Sequence, residues 1–94
     1  MEKQLTTKQA TELIEAILSL KSAKECKAFL RDLCTLSEIE AMIERFQVAK
    51  MVKNNIPYRE ISNKTGSSTA TVTRVAHWLH HGMGGYDLVL DRMK

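Results

Sequence analysis

The sequence is short of the residues that interrupt a chain and of those that staple one. One proline and four glycines stand among its 94 residues, so few turns and long regular elements are expected. Runs that alternate apolar and polar residues in the manner of strands are missing as well, which leaves an all-α chain. Two cysteines, Cys26 and Cys34, are too few for a disulfide-stapled secreted scaffold. No stretch approaches the roughly 20 apolar residues of a membrane span, and the opening MEKQLTTKQA lacks the apolar core of a signal peptide. A cytoplasmic protein with no membrane partner is therefore expected. Aromatics are scarce at two Phe, two Tyr and one Trp, so the core must be built from Leu, Ile, Val, Met and Ala.

What is present is an ordinary globular composition, 44% apolar and 27% charged, which excludes disorder on compositional grounds. The length suits one domain spanning residues 1–94, since compact domains start at about 50 residues. A chain this short buries a modest share of its surface, and a second copy would supply more core.

Charge divides the chain. Met1 to Glu44 holds six Lys/Arg against eight Asp/Glu, a net −2, whereas Arg45 to Lys94 holds eight against three, a net +5. Between Arg45 and His81 the one acid is Glu60, set against Arg45, Lys50, Lys53, Arg59, Lys64 and Arg74. Such asymmetry suggests that the front assembles the protein and the back faces an anion.

Three amphipathic stripes occupy the front. A capping pair Thr6/Gln9 opens a helix whose buried face is expected at Ala10, Leu13, Ile14, Ile17 and Leu18. Ser22/Glu25 opens a second, with Cys26, Phe29, Leu30, Leu33 and Cys34 on its stripe. Ser37/Glu40 opens a third, carrying Ile39, Met42, Ile43, Phe46, Ala49 and Val52. Further apolar residues lie off these stripes at Leu5, Leu20, Leu36 and Met51, and packing of the front helices of two chains would cover them. Residues 1–53 are thus read as dimerisation helices and the protein as a homodimer.

Residues 57–81 carry the chemistry. Pro57 breaks the preceding helix and suits the start of the next. A short helix from Tyr58 to Thr65, a turn at Gly66, a cap at Ser67 or Ser68 and a second helix with Val72, Val75, Ala76 and Leu79 inward form a helix-turn-helix. Its outward residues would be Ser68, Thr69, Ala70, Thr73, Arg74 and His77. Small hydroxyl and methyl side chains at a helix N-terminus let the backbone approach base edges, and threonine can hydrogen-bond a base or meet a thymine methyl. Lys50, Lys53, Arg59 and Lys64 flank the unit and are expected to pair with phosphates. After Gly82, Gly84 and Gly85 a last helix, residues 86–93, should pack through Leu88, Val89 and Met93.

LSEIEAMIERFQVAK (Leu36 to Lys50) and YREISNKTGSSTATVTR (Tyr58 to Arg74) resemble the Trp-repressor-like family (TrpR/YerC/YecD), and its YerC/YecD branch in particular. The resemblance runs from about Phe29 to Met93. It implies an all-α fold of about six helices in an intertwined homodimer. It also implies a transcriptional regulator, commonly a repressor, bound to double-stranded DNA at a two-fold symmetric operator. Carried over by position, Thr69, Ala70 and Thr73 would face bases with help from Ser67 and Ser68, while Tyr58, Arg59 and Ser62 would meet the backbone. Arg45 and Arg74 match the two arginines that hold tryptophan in the Trp repressor itself, and Thr35 matches a pocket-lining threonine. Val75 and Trp78, however, replace a glycine and a serine there. Overfilling a packed slot costs roughly 1–3 kcal/mol, so tryptophan is not expected as effector, and the identity of any small-molecule effector stays open. Arg74 could bind another carboxylate, a phosphate or an acid of the partner chain.

Other chemistries find little support. His77, His80 and His81 share a helix, but zinc needs further ligands at supporting spacing and none is there. The two histidines His80 and His81 read as closing a helix C-terminus, and Asp87 and Asp91 as a solvated face. No nucleophile–base set or Gly-rich phosphate loop is found. Neither an enzyme, a cofactor nor a metal is expected. The rival readings are a helical protein–protein interaction module that does not read DNA and an architectural DNA binder without base preference.

Overall fold

A computed structural model describes residues 2–94; Met1, the first residue of the expected domain, lies outside the described residues. A 3-10 turn at Lys3–Leu5 precedes six α-helices: α1 Lys8–Leu18, α2 Ala23–Leu33, α3 Leu36–Lys53, α4 Tyr58–Thr65, α5 Thr69–His81 and α6 Gly85–Arg92. Among the described residues there is no strand, and the all-α, six-helix expectation holds. The chain divides into two compact units, the front ending at Leu36 and the back running Ser37–Lys94. The division falls inside the residues 1–53 read as dimerisation helices, and α3 goes with the helix-turn-helix.

In the front unit the caps decide where helices begin. Thr6 is already hydrogen-bonded to the Lys3 carbonyl through both its N–H and its hydroxyl. The cap of α1 therefore falls to Thr7, whose Oγ1 accepts from the Ala10 N–H at 3.0 Å, one residue later than expected. Ser22 caps α2 as expected, accepting from the Glu25 N–H at 3.1 Å, while the Glu25 carboxylate accepts from the Lys21 N–H at 2.8 Å. The expected burial of the first stripe is not found within one chain. Leu13, Ile14, Ile17 and Leu18 are all exposed, Leu18 by 77%. Leu30 and Leu33 of α2 are exposed too, with Cys26, Phe29 and Cys34 half-buried. Among the described residues of the front unit none is buried.

The back unit has a core of its own. It contains Val48, Ala49 and Val52 of α3, Ile61 of α4, and Val72, Val75, Ala76 and Leu79 of α5, with Met51, Ile56 and Tyr86 packed against it. Helix α3 starts at Leu36, one residue before Ser37, so the expected Ser37/Glu40 cap lies inside its first turn. An overlapping pair with the same spacing, Thr35 and Glu38, brackets the observed start. Of the stripe expected on α3 only Ala49 and Val52 are buried; Met42 and Ile43 remain exposed, and Val48 joins the core instead. On α6 the inward residue is Leu90, not Leu88, Val89 or Met93, which are exposed.

The end of α3 sets the path into α4. Asn55 takes a left-handed conformation with φ 62°, which asparagine tolerates better than most side chains. The Ile56 N–H then donates to the Met51 carbonyl and the Asn55 N–H to the Val52 carbonyl. That crossed pair is a Schellman stop, so the helix ends at Lys53, four residues before Pro57. Lys53, the last residue of α3, donates through Nζ to Asp87 and Asp91 of α6, both at 2.9 Å. This corrects two expectations, since Lys53 is not free for phosphate and the two aspartates are not merely solvated.

The two hydrogen bonds, to Asp91 and then Asp87, hold the Lys53 ammonium above the ordinary lysine range. The same Lys53 bond holds the Asp91 carboxyl below the ordinary aspartate range. A lowered carboxyl pKa stabilises the fold above the unfolded-state value and stops doing so as pH falls through the folded one. A raised ammonium pKa stabilises below the unfolded-state value and is lost as pH rises through the folded one. Lys53→Ala should therefore lower the melting temperature by a steady margin between about pH 5 and 9, and the margin should shrink towards pH 3 and pH 11. A margin that persists undiminished at pH 3 would show that Lys53 acts through packing and not through its charge.

Candidate nucleic-acid interface

Helices α4 and α5 and the turn between them form the expected helix-turn-helix. Pro57 opens α4 with φ −58°, the value its ring imposes. Ile61 seals against the core without residual exposure. Gly66 then turns the chain with φ 76°, and its N–H donates to the Ser62 carbonyl at 2.9 Å. The hydroxyl of Thr65 donates to the Ile61 carbonyl at 2.8 Å and accepts from the Ser67 N–H at 3.1 Å. Ser62 Oγ donates to the Ser67 carbonyl, and Ser67 Oγ donates to the Glu44 carboxylate on α3. Ser68 provides the cap of α5, accepting from the Thr71 N–H at 3.1 Å.

Two faces of α5 separate cleanly. Val72, Val75, Ala76 and Leu79 are buried, whereas Ser68, Thr69, Ala70, Thr73, Arg74 and His77 are exposed. Thr73 donates its hydroxyl proton back to the Thr69 carbonyl at 2.9 Å, so it offers a partner its methyl group and a remaining oxygen lone pair. The first turn of α5 contains no acidic residue of its own, and the carboxylate nearest its N-terminus is that of Glu44 on Ser67. Tyr58 and Arg59, at the start of α4, are exposed as well.

Cations around this face differ in availability. Lys64 pairs with Glu60 at 3.1 Å and Lys53 is held by its two aspartates. Among the described residues Lys50, Arg59 and Arg74 are exposed and make no ion pair. The part of the expected phosphate-facing set that remains free is therefore Lys50 and Arg59, with Arg74 on α5 itself.

Other expectations need correction. Ser67 was expected to face DNA, yet it is 3% exposed and both its N–H and its hydroxyl are already engaged. Ser62 likewise donates its hydroxyl internally. Four of the residues expected at an effector pocket, Arg45, Arg74, Val75 and Trp78, lie in the back unit. Val75 is sealed in the core, while Arg74 and Trp78, one turn apart, share an exposed face, with Trp78 51% exposed and edge-on to His77 at 5.3 Å. Arg45 donates Nε to the Ala41 carbonyl at 3.3 Å and borders a depression lined by Met42, Phe46 and Tyr86. Thr35 belongs to the front unit. Sequence reasoning missed Glu44 altogether, because its partner Ser67 lies 23 residues away and no local pattern joins them.

Comparison with known proteins agrees with this geometry. The family model for the Trp repressor protein matches residues 8–94. YerC, an uncharacterized protein of Bacillus subtilis, is 42% identical over 90 residues, which cover 96% of this chain and 86% of YerC. The crystal structure of a TrpR-like protein from Eubacterium eligens superposes with a TM-score of 0.94 at 43% identity, covering 98% of this chain and 95% of that one. A candidate Trp repressor from Staphylococcus aureus gives a TM-score of 0.91 at 43% identity, covering 97% and 91%.

The turn itself can be tested. Gly66 has nothing within 4 Å of where a Cβ would stand, so Gly66→Ala adds backbone strain without a clash. A left-handed conformation costs an L-residue about 1–2 kcal/mol, and chemical denaturation should show a loss of that size. Gly66→Asn should lose less. An alanine variant as stable as the native chain would mean that the turn relaxes out of the left-handed region.

Proposed function

The chain belongs to the Trp repressor protein family, and we propose that within this family of DNA-binding regulators it acts as a sequence-specific repressor, seated as a homodimer on a two-fold symmetric operator. The observation that carries the reading is the exposed N-terminal face of α5, held on a helix whose opposite face is sealed in the core. On this reading Thr69, Ala70 and Thr73 read base edges with Ser68 beside them, and Tyr58 and Arg59 hold the phosphate backbone. Arg74, exposed and unpaired among the described residues, reaches a phosphate from the same face. Ser67 supports the turn and takes no part in contact.

The homodimer is supported by the front unit. Its leucines and isoleucines at residues 13, 14, 17, 18, 30 and 33 are exposed, and no described residue of the unit is buried. Apolar surface of this extent marks an association site, and an identical chain brings an identical face. Two recognition helices one turn of DNA apart, about 34–36 Å, then meet successive major grooves. No described helix is long and apolar enough to cross a membrane, and the reading places the protein in the cytoplasm.

Enrichment of duplexes from a random pool at about 150 mM salt tests this directly, because base preference separates sequence reading from phosphate contact alone. The expected result is a two-fold symmetric motif, with sedimentation showing twice 10.7 kDa. Thr73→Ala should relax preference at one base step by about 1 kcal/mol, while Arg59→Ala should weaken all sequences alike. Recovery of no motif, with or without added metabolite extract, would favour a protein-binding module instead.

Tryptophan is not the effector in this reading, because Val75 and Trp78 stand where the Trp repressor has a glycine and a serine, and Val75 is committed to the core. A ligand at a hundred times its Kd adds about 2.7 kcal/mol of stability, so real binding would be visible in a melting curve. Tryptophan at about 1 mM should leave the melting temperature unchanged within about 1 °C. A rise of several degrees would overturn the assignment.

A further inference from the structure

Among the described residues Ser67 is the one buried polar side chain, and it stands next to the cap of the recognition helix. We infer that Glu44 is a positioning residue for DNA reading: its carboxylate latches Ser67 and thereby sets the N-terminus of α5 against α3. This rests on the DNA-reading assignment above. Ser67 is held from three sides. Its hydroxyl donates to Glu44 of α3, its carbonyl accepts from Ser62 of α4, and its N–H donates to Thr65 at the end of α4. The next residue, Ser68, caps α5, and the two after that are among the proposed base readers. A displacement of Ser67 is therefore passed to Thr69 and Ala70 with no flexible joint between.

The Glu44 bond is the member of this set that reaches across the fold, because the other two stay within α4 and its turn. It is also the charge-assisted one, and hydrogen bonds to a carboxylate are about twice as strong as neutral ones. Base edges are read only when the helix sits within about 0.5 Å of its place. Phosphate contacts made by long side chains such as Arg59 tolerate more movement. Loss of the latch should thus cost discrimination between sequences and leave general DNA affinity alone. A substitution that merely loosened the fold would lower both.

The experiment compares Glu44→Ala, Glu44→Gln, Ser67→Ala and the Glu44→Ala/Ser67→Ala double variant as full-length chains. Affinity is measured for the duplex recovered by selection and for a scrambled duplex of equal composition, alongside amide hydrogen exchange over Gly66 to Thr71. Each alanine variant should reduce the ratio of the two affinities about tenfold, the scale of one hydrogen bond to a charged group. The double variant should lose no more than either single one, and Glu44→Gln, which keeps an accepting oxygen without the charge, should lose less than Glu44→Ala. A native ratio in Ser67→Ala, or losses that add in the double variant, would overturn the latch. If the native chain selects no duplex, the DNA-reading assignment itself fails, and exchange decides the latch alone. Faster exchange in both alanine variants with protection in Glu44→Gln upholds it, and unchanged exchange overturns it.

Discussion

The three largest side chains sealed completely from solvent among the described residues, Val48, Ile61 and Val72, each belong to a different helix of the back unit. Their contact is the constraint on which the site depends. Close-packed apolar side chains fix the distance and crossing of the helices that carry them, because a shift leaves either a void or a clash. Ile61 at the centre of α4 and Val72 near the start of α5 can meet α3 together only if the chain between them reverses within a few residues. Gly66 permits that reversal with its positive φ. The recognition face is then a consequence: with Val72, Val75, Ala76 and Leu79 turned to the core, the residues between them have nowhere to go but outward.

Polar groups finish what the apolar contact begins. Packing fixes helix axes well, but it constrains a turn of small residues weakly, since serine and glycine offer little side chain to pack. The turn is held instead by hydroxyl bonds from Ser62, Thr65 and Ser67, the last of them to Glu44. At the other end of α3, Lys53 ties α6 through two aspartates. These pairs also change what the charge census means. The back half carries a net +5, yet Lys53 and Lys64 are spoken for, and the cations left exposed and unpaired near the helix-turn-helix are Lys50, Arg59 and Arg74. Composition gave the sign of the surface correctly and its distribution poorly.

That contrast marks the boundary of what was legible. The helix-turn-helix could be read because its signals are local: Pro57 before a helix, Gly66 at the turn, Ser68 at a cap, and apolar residues three and four apart behind them. The caps of α1 and α2 were readable to within one residue for the same reason. Helix α3 was placed two residues late because the sequence holds two overlapping capping patterns, and spacing alone does not choose between them. What spacing could not supply were pairings across long separations. Ser67 looks like a solvent-facing turn serine until Glu44 is brought beside it. Asp87 and Asp91, one turn apart, look like any acidic helix face until Lys53 arrives between them. Val75 was rightly placed inward by its period.

The apolar stripes of α1 and α2 show the same limit from the other side. Periodicity identifies which face of a helix wants to leave water, but it says nothing about where the covering surface comes from. In the back unit the cover is supplied by the chain itself; in the front unit no described residue is buried. The hydrophobic effect acts equally on both faces, so an open stripe is an unmet demand and not a weak signal. Under the homodimer reading the two units then answer to different variables. The back unit keeps its helix-turn-helix through its own core, at any concentration. The front unit gains its core only from association, and its stability rises with protomer concentration by mass action. Dilution would therefore separate two intact readers before it unfolded either. Affinity for a two-fold operator would then depend on concentration more steeply than affinity for a single half-site.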